Sequence, residues 1–287
     1  MVLSEADILS LIKFEFEPEV IVKAPSRINL INPLDAVEGD LWAPSMAAHA
    51  IDNPLSAYVF IRKKSESLSC WKMFDIRVQN EHLELIKQSE EFFDIKAIKD
   101  EKEKYKGNIA LGSMVVLFEY VPEIYEKLKS QAIEMGVFTT IPRQSGIGGS
   151  SSIIIGILWA LAELSGVINL APNRFGKMPV NRDVIAEIST QIENEMLNTT
   201  AGYGDRYTIA RGGIGFANYV GKLNHETLGN GPLATYDRID LTYGIDQIPI
   251  ILCYSGVSHS SGDVHKVLRE KYLSGDMFMK ESFQKLA

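Results

Sequence analysis

Cysteine is scarce in this chain, with only Cys70 and Cys253 among 287 residues. They lie far apart in the apolar runs "LSCWKMF" and "IILCYSG". That excludes a disulfide-stapled scaffold and predicts two free, buried thiols in a reducing compartment. A basic surplus is missing too. Lys and Arg number 29 against 37 Asp and Glu, a formal net charge of −8. Such a balance argues against a general nucleic-acid or anionic-membrane binder, because no excess of cations exists to neutralise phosphates in bulk. A local basic pocket stays open. No apolar run reaches about 18 residues, so no membrane span is expected. The first twenty residues, "MVLSEADILSLIKFEFEPEV", carry early acids and no long apolar core, so they do not read as a signal peptide. These absences point to the cytoplasm. What remains is ordinary globular composition, 46% hydrophobic and 23% charged. The length suits one large domain or two ordinary ones.

Periodicity gives a coarse order of elements. "SEADILSLIKFEF" reads as a short helix with Ser4 as its N-cap, and "EVIVKAPSRINLIN" as a strand, a proline turn and a second strand. Residues 55–62 alternate as a strand, and further strands are expected around "CWKMFDIRVQNEHLELI". The charge-dense residues 91–106 read as a solvated helix or loop. "ALGSMVVLFEYVPEIYEKLKSQA" is helical with a break before Pro122. "GVFTTIP" is a short strand, Ser150 to Gly166 a helix, and "NRDVIAEISTQIENEML" another, started by Asn181 or Asp183. "GIGFANYVG" and "PIILCYSGV" read as strands. Strand pairs and helices mix without steady βα alternation, so α+β is preferred to a doubly wound sheet. The last stretch, "GDVHKVLREKYLSGDMFMKESFQKLA", breaks off in a helical pattern with no cap or return strand. The C-terminal part therefore reads as incomplete.

The stretch "PRQSGIGGSS", Pro142 to Ser151, sets a small polar loop directly against an apolar helix. A helix N-terminus has unpaired amides and partial positive charge. Gly146, Gly148 and Gly149 allow close backbone approach, and Ser145, Ser150, Ser151 and Ser152 add hydroxyls. Together they form a candidate anion cup. The plainer alternative is a flexible loop with a serine cap. The loop is neither a Walker A sequence nor a GxGxxG turn. Downstream, "IENEMLNTTAGYGDR" supplies Glu193, Glu195 and Asp205. Glu193 and Glu195 are two apart and face different ways on a helix, so one at most points at the cup. They also read as surface charges, and Asp205, between glycines, as a turn former.

The loop resembles the phosphate loop of the GHMP kinases, the family of galactokinase, homoserine kinase, mevalonate kinase and phosphomevalonate kinase. That loop runs P-x-x-x-G-L-G-S-S-A, with Ile147 here for Leu and Gly149 for a common Ser. "KAPSRINLINPLD", residues 23–35, is similar to the family's first motif, and "CYSGVSHSSGDVHKVLREKY", residues 253–272, to its third. Through "IPRQSG", "NPLD" and "GDVHKVLREKYLSGD" the resemblance runs to glucuronokinase-like and heptose-phosphate-kinase-like sugar kinases. It implies a two-lobed α+β fold with the active site between the lobes. Residues 1–215 would form the ATP-binding domain and 216–287 a partial C-terminal domain.

The activity implied is ATP-dependent phosphorylation of a sugar or uronic acid to a sugar 1-phosphate, with ATP and Mg²⁺. Alternatives are a heptose-phosphate or polyol kinase, or a non-catalytic nucleotide- or sugar-binding regulator. A monomer and a homodimer both fit. By the same resemblance Pro142, Ser145, Gly146, Ile147, Gly148, Gly149, Ser150 and Ser151 bind nucleotide, and Ser150 and Glu193 hold Mg²⁺. Asp205 is the base and Arg27 its basic partner. Asp35 touches substrate hydroxyls, although "INPL" replaces the family's GEH before it. Arg143 and Arg206 are candidates for a uronate carboxylate, with loop-holding salt bridges as their alternative. Gly256 lets the third motif close on the acceptor. His259 and His265 lack metal-site spacing. His265, Leu268 and Tyr272 would share one inward helix face. Trp42 reads as core.

Overall fold

The computed structural model describes residues 4–31, 45–48, 55–79, 82–168, 180–199, 201–219, 233–245, 248–253, 255–257 and 261–286. The first half runs α1 (Glu5–Phe16), β1 (Val20–Pro25), β2 (Ile28–Ile31), β3 (Ser45–Ala48), β4 (Ser56–Lys64), β5 (Ser69–Gln79) and β6 (His82–Phe93). It continues with α2 (Ile95–Ile98), α3 (Ile109–Tyr120), α4 (Pro122–Leu128), β7 (Ala132–Thr139), α5 (Gly149–Ser165), α6 (Arg182–Met196) and α7 (Gly204–Arg211). Then come β8 (Gly215–Asn218), β9 (Thr235–Arg238), α8 (Ile239–Tyr243), α9 (Ser261–Leu273) and α10 (Met277–Leu286).

Two sheets organise these elements, in the orders β1-β4-β7-β5-β6 and β2-β3-β8-β9. All ladders are antiparallel except β5 with β7. The alternation in "SAYVFIRKK" covers both faces of β4. Val59 and Ile61 share a core with Met135 and Val137 of β7 and with Ile154, Ile157, Leu158 and Leu161 of α5, joined by α3 and α6. Tyr58 and Phe60 face the other way and pack with Phe138 against Ile8, Ile12 and Phe16 of α1. Each such large side chain contributes roughly 1.5–3 kcal/mol on burial. Gly156 brings α5 unusually near β4, since a Cβ there would sit 2.7 Å from Val59 Cγ2. That contact fixes the axis along which α5 aims its first turn.

The chain leaves the first sheet at Pro25 and enters the second at Ile28. Only Ser26 and Arg27 lie between them. Ser26 N–H donates to Leu55 O at 2.8 Å and Arg27 N–H to Ile147 O at 3.1 Å. The crossover therefore presents Arg27 to the glycine loop.

Several expectations are met by particular residues. Ser4 and Asp7 form a capping box on α1. Pro122 stands at the start of α4, separating it from α3. Leu268 packs with Tyr272, Met279 and Phe283 between α9 and α10, while the side chain of His265 lies outside the described residues. Three expectations are corrected. The charge-dense segment departs from its solvated reading, since residues 91–93 end β6 and Phe93, Ile95, Ile98 and Tyr105 are buried anchors. Residues 248–253 form no strand, and Ile250, Ile251 and Leu252 are exposed. An apolar run becomes a strand only when a ladder partner takes its backbone groups, and none of the described strands does so here. Both cysteines are free, but only Cys70 is buried and Cys253 is exposed on that same run.

Candidate active site

The loop between β7 and α5 is shaped by its own small residues. Ser145 Oγ donates to Pro142 O at 2.7 Å, closing the loop's first half. Gly148 has a φ of 82°, and a Cβ on it would lie 3.1 Å from Ile209 Cδ1 and 3.4 Å from Arg27 Cγ. Gly148 is also the N-cap of α5 and, lacking a side chain, makes no cap bond to that helix. The first-turn amides are thus left without the hydroxyl or carboxylate that usually takes them. Ser152 Oγ donates to Gly148 O at 2.9 Å and to Pro25 O at 2.8 Å, tying the loop's end to β1.

Glu193 comes to this helix start from the last turns of α6. Asn181 begins α6, accepting from the amides of Asp183 at 3.0 Å and Val184 at 3.1 Å. Glu193 is 2% exposed. Its Oε1 accepts from Ser151 Oγ at 2.7 Å and from Ser150 Oγ at 3.3 Å. Its Oε2 pairs with Arg206 Nη2. Glu195, two positions on, turns the other way to Lys102 at 2.6 Å. The two glutamates therefore separate as their helical spacing predicts.

Asp205 stands in the first turn of α7. Arg27 clamps it with two bonds, Nε to Oδ1 and Nη2 to Oδ2, the second at 2.5 Å. Arg27 Nη1 also donates to Gly146 O at 2.7 Å. Both side chains keep some exposure, 13% for Arg27 and 15% for Asp205. Arg206 Nη1 lies 3.7 Å from Asp205 Oδ2. A continuous chain results: Gly146, Arg27, Asp205, Arg206, Glu193, then Ser151 on α5. It starts at the loop and ends on the helix that the loop begins.

Further rungs hold α7 against α6. Arg211 meets Asp183 with bonds of 2.7 and 2.5 Å, and Tyr207 donates to the buried Glu187. Ala234 N–H donates to Tyr207 Oη at 3.1 Å. Burial, followed by the Glu187 carboxylate, pushes the Tyr207 phenol well above its ordinary range, so it stays neutral and donates. Reading the sequence alone missed this helix. Asp205 near its start, Arg211 in its last turn and the Gly212–Gly213 pair after it were the available signals. Tyr207 and Glu187 had no motif to mark them.

The structure thus brings Arg27, Gly146, Ile147, Ser150, Ser151, Glu193 and Asp205 together. Arg143 is exposed on the loop. Gly256 is exposed in a bend with a φ of 74°. Asp35, Trp42 and His259 lie outside the described residues. Arg206 corrects its expected contact with substrate. It is 5% exposed and committed to Glu193 and to Gly202 O at 2.8 Å, so it is the loop-holding salt bridge. Its charge is better satisfied inside, where a carboxylate would otherwise be buried alone.

Ser150 Oγ and Glu193 Oε1 suit a small hard cation. Two neighbouring ligands of an octahedral Mg²⁺ lie about 3 Å apart, from bonds of about 2.1 Å at right angles. The 3.3 Å between these oxygens is close to that. Among the described residues no group of three or more His, Cys, Asp or Glu side chains could hold a metal.

Residues 114–213 match the family model "GHMP kinases N terminal domain". The chain carries a GHMP kinase N-terminal domain. The matched span of this GHMP kinase domain holds the loop, Glu193 and Asp205. Glucuronokinase 1 of Arabidopsis thaliana is 28% identical to the chain over 188 residues, covering 65% of the chain and 47% of that protein. D-glycero-alpha-D-manno-heptose 7-phosphate kinase of Campylobacter jejuni is 30% identical over 91 residues, covering 32% and 24%. The chain spans about half the length, or less, of the curated relatives it matches. The crystal structure of Methanococcus jannaschii mevalonate kinase superimposes with a TM-score of 0.58 at 14% identity, covering 93% of the chain and 69% of that structure. At that identity the likeness shows the fold. The mixed α/β GHMP kinase domain is the fold of this chain, as its α+β reading expected. No helix of the described residues is long and apolar enough to cross a membrane.

Proposed function

We propose that this protein transfers the γ-phosphoryl group of ATP to a hydroxyl of a sugar or sugar acid. The observation that carries the reading is the clamp of Arg27 on Asp205 and on Gly146 O. It sets a carboxylate directly beside the glycine loop. Residues 1–215 are read as the ATP-binding domain and 216–287 as part of a C-terminal domain.

In this mechanism the amides from Gly146 to Ser151 receive the triphosphate. They supply partial positive charge that needs no reorganisation when the reaction occurs. Pro142, Ser145 and Ile147 hold the loop's shape around them. Ser150 and Glu193 would hold Mg²⁺. The cation, when bound, neutralises charge on the β- and γ-phosphoryl oxygens. Asp205 orients the acceptor hydroxyl and accepts its proton. Arg27 keeps the Asp205 carboxylate aimed, and its charge lies near the oxygens of the transferring group.

The acceptor is read as a uronic acid, giving a sugar 1-phosphate. The "IPRQSG" loop leaves Arg143 exposed, where it can meet a carboxylate. Asp35 and Gly256 are proposed to complete the acceptor side. A heptose phosphate or another polyol is the second reading, supported by the relative named for heptose 7-phosphate. A regulator without catalysis is disfavoured by the Arg27-clamped carboxylate of Asp205 beside the loop.

The test is ATP turnover with a panel of uronic acids, aldoses and heptose phosphates, followed by ³¹P NMR of the product. A uronic acid is expected to turn over fastest, with product phosphorus coupled to the anomeric proton. Asp205→Asn should lower kcat by about 10²–10⁴ while nucleotide binding persists. Undiminished turnover in that variant would remove Asp205 from its role. Nucleotide binding with no sugar phosphorylated would favour the regulator.

A further inference from the structure

We infer that Arg206 is a positioning residue that makes the divalent cation enter only together with the nucleotide's phosphates. The inference rests on the reading of Ser150 and Glu193 as the cation's protein ligands. It starts from how Glu193 is occupied. One oxygen accepts from Ser151 at 2.7 Å and faces Ser150 at 3.3 Å, and the other is taken by Arg206. Only Oε1 is therefore presented toward the loop, and Glu193 serves a cation through one oxygen.

Arg206 is held in place. It is 5% exposed, its Nη1 donates to Gly202 O at 2.8 Å, and the same nitrogen lies 3.7 Å from Asp205 Oδ2. Asp205 in turn belongs to Arg27. Two carboxylates and two guanidiniums thus alternate along the site, and their formal charges cancel. Sites that take divalent cations from solution without other help gather several carboxylate oxygens. Here a lone cation would meet one carboxylate already balanced, with a fixed positive charge just behind it in a poorly solvated place. The triphosphate brings the negative charge that this site lacks. Metal and nucleotide then bind as one unit. The free site is kept from filling with a cation in a geometry that the phosphates have not set. Arg206 acts through Glu193 and needs no contact with substrate.

The experiment follows Mn²⁺ by electron paramagnetic resonance, which separates free, nucleotide-bound and protein-bound ion. The wild-type chain is titrated with and without a non-hydrolysable ATP analogue, beside Arg206→Gln, Arg206→Lys and Glu193→Gln, each first checked for a cooperative melt. Wild type should hold Mn²⁺ at this site only with the analogue present. Arg206→Gln should gain analogue-free Mn²⁺ binding on the order of tenfold or more. A merely structural defect would not tighten binding. Arg206→Lys, which keeps the charge, should behave as wild type. The inference fails if wild type binds Mn²⁺ as tightly without the analogue as with it, a comparison that stands even if Arg206→Gln does not fold. It also fails if folded Arg206→Gln shows no tightening, or if Arg206→Lys tightens as much. A different result tests the underlying reading: Glu193→Gln that binds Mn²⁺ with the analogue as wild type does would remove Glu193 as a ligand.

Discussion

The Arg62–Glu134–Lys72 cluster on the five-stranded sheet and the Arg27–Asp205–Arg206–Glu193 chain at the loop are made of similar side chains. They differ in what their carboxylates face. Glu134, 3% exposed on β7, is bound by Arg62 of β4 at 2.7 Å and by Lys72 of β5, and Lys72 reaches Glu90 of β6 at 3.2 Å. Each partner stands on a neighbouring strand, so the charges stitch four strands together and enclose nothing. At the loop the carboxylates come from two helices. One meets serine hydroxyls at an uncapped helix start, and the other lies beside a glycine carbonyl through its arginine. Buried ion pairs alone do not mark a site. Their placement against a glycine loop and a helix start whose N-cap brings no side chain does.

Substitution should separate the two clusters most sharply in turnover. Asp205→Asn loses kcat by about 10²–10⁴. Glu134→Gln should stay within about twofold, because its charge lies outside the reacting region. The same assay on both variants checks this, and a large loss in Glu134→Gln would end the distinction. Stability is expected to reverse the order. Glu134→Gln leaves two cations without their buried partner and should lower the unfolding free energy by about 2 kcal/mol, read by urea titration.

A smaller effect belongs to Asn181→Ala. It uncaps α6 and should lose about 1 kcal/mol in the same titration, together with a weaker Mn²⁺–nucleotide complex as Glu193 loses its fixed seat. The smallest is an acid slope. Burial raises the Glu134 carboxyl, but the bonds from Lys72 and Arg62 outweigh it and hold the group below its ordinary value. A depressed carboxyl contributes its full stability above the unfolded value of about 4.3 and loses it as pH falls through the folded value. Wild type should therefore weaken on acidification below about pH 4.3, and Glu134→Gln should lack that part of the slope. Parallel slopes would show that Glu134 does not titrate against its partners.

How far the sequence was legible followed from how local each cause is. Ser4, Pro122 and Asn181 act within a few residues of themselves, and the elements they start were readable. The Gly/Ser loop before an apolar helix was readable for the same reason. Helix α7 was not, because glycines at both ends hide an eight-residue helix whose stability comes from rungs to α6. The run at 248–253 was read as a strand from its apolar residues alone, but strand formation also needs a neighbour. Glu193 could be separated from Glu195 only as facing another way. That Glu193 faces the serines depends on how α5 and α6 cross, which no short window contains. Arg206 looked like a substrate contact because its buried partner stands thirteen positions away on another helix.

Gly156 sits seven residues into α5, about 10 Å from its start, flush against Val59. A rigid rod turns a small push at one point into a larger swing at its tip. A single methyl added there would move the first-turn amides of α5 without touching them. The hydrophobic interior therefore reaches the loop mechanically, and an interior glycine belongs among the positions that set where the start of α5 points.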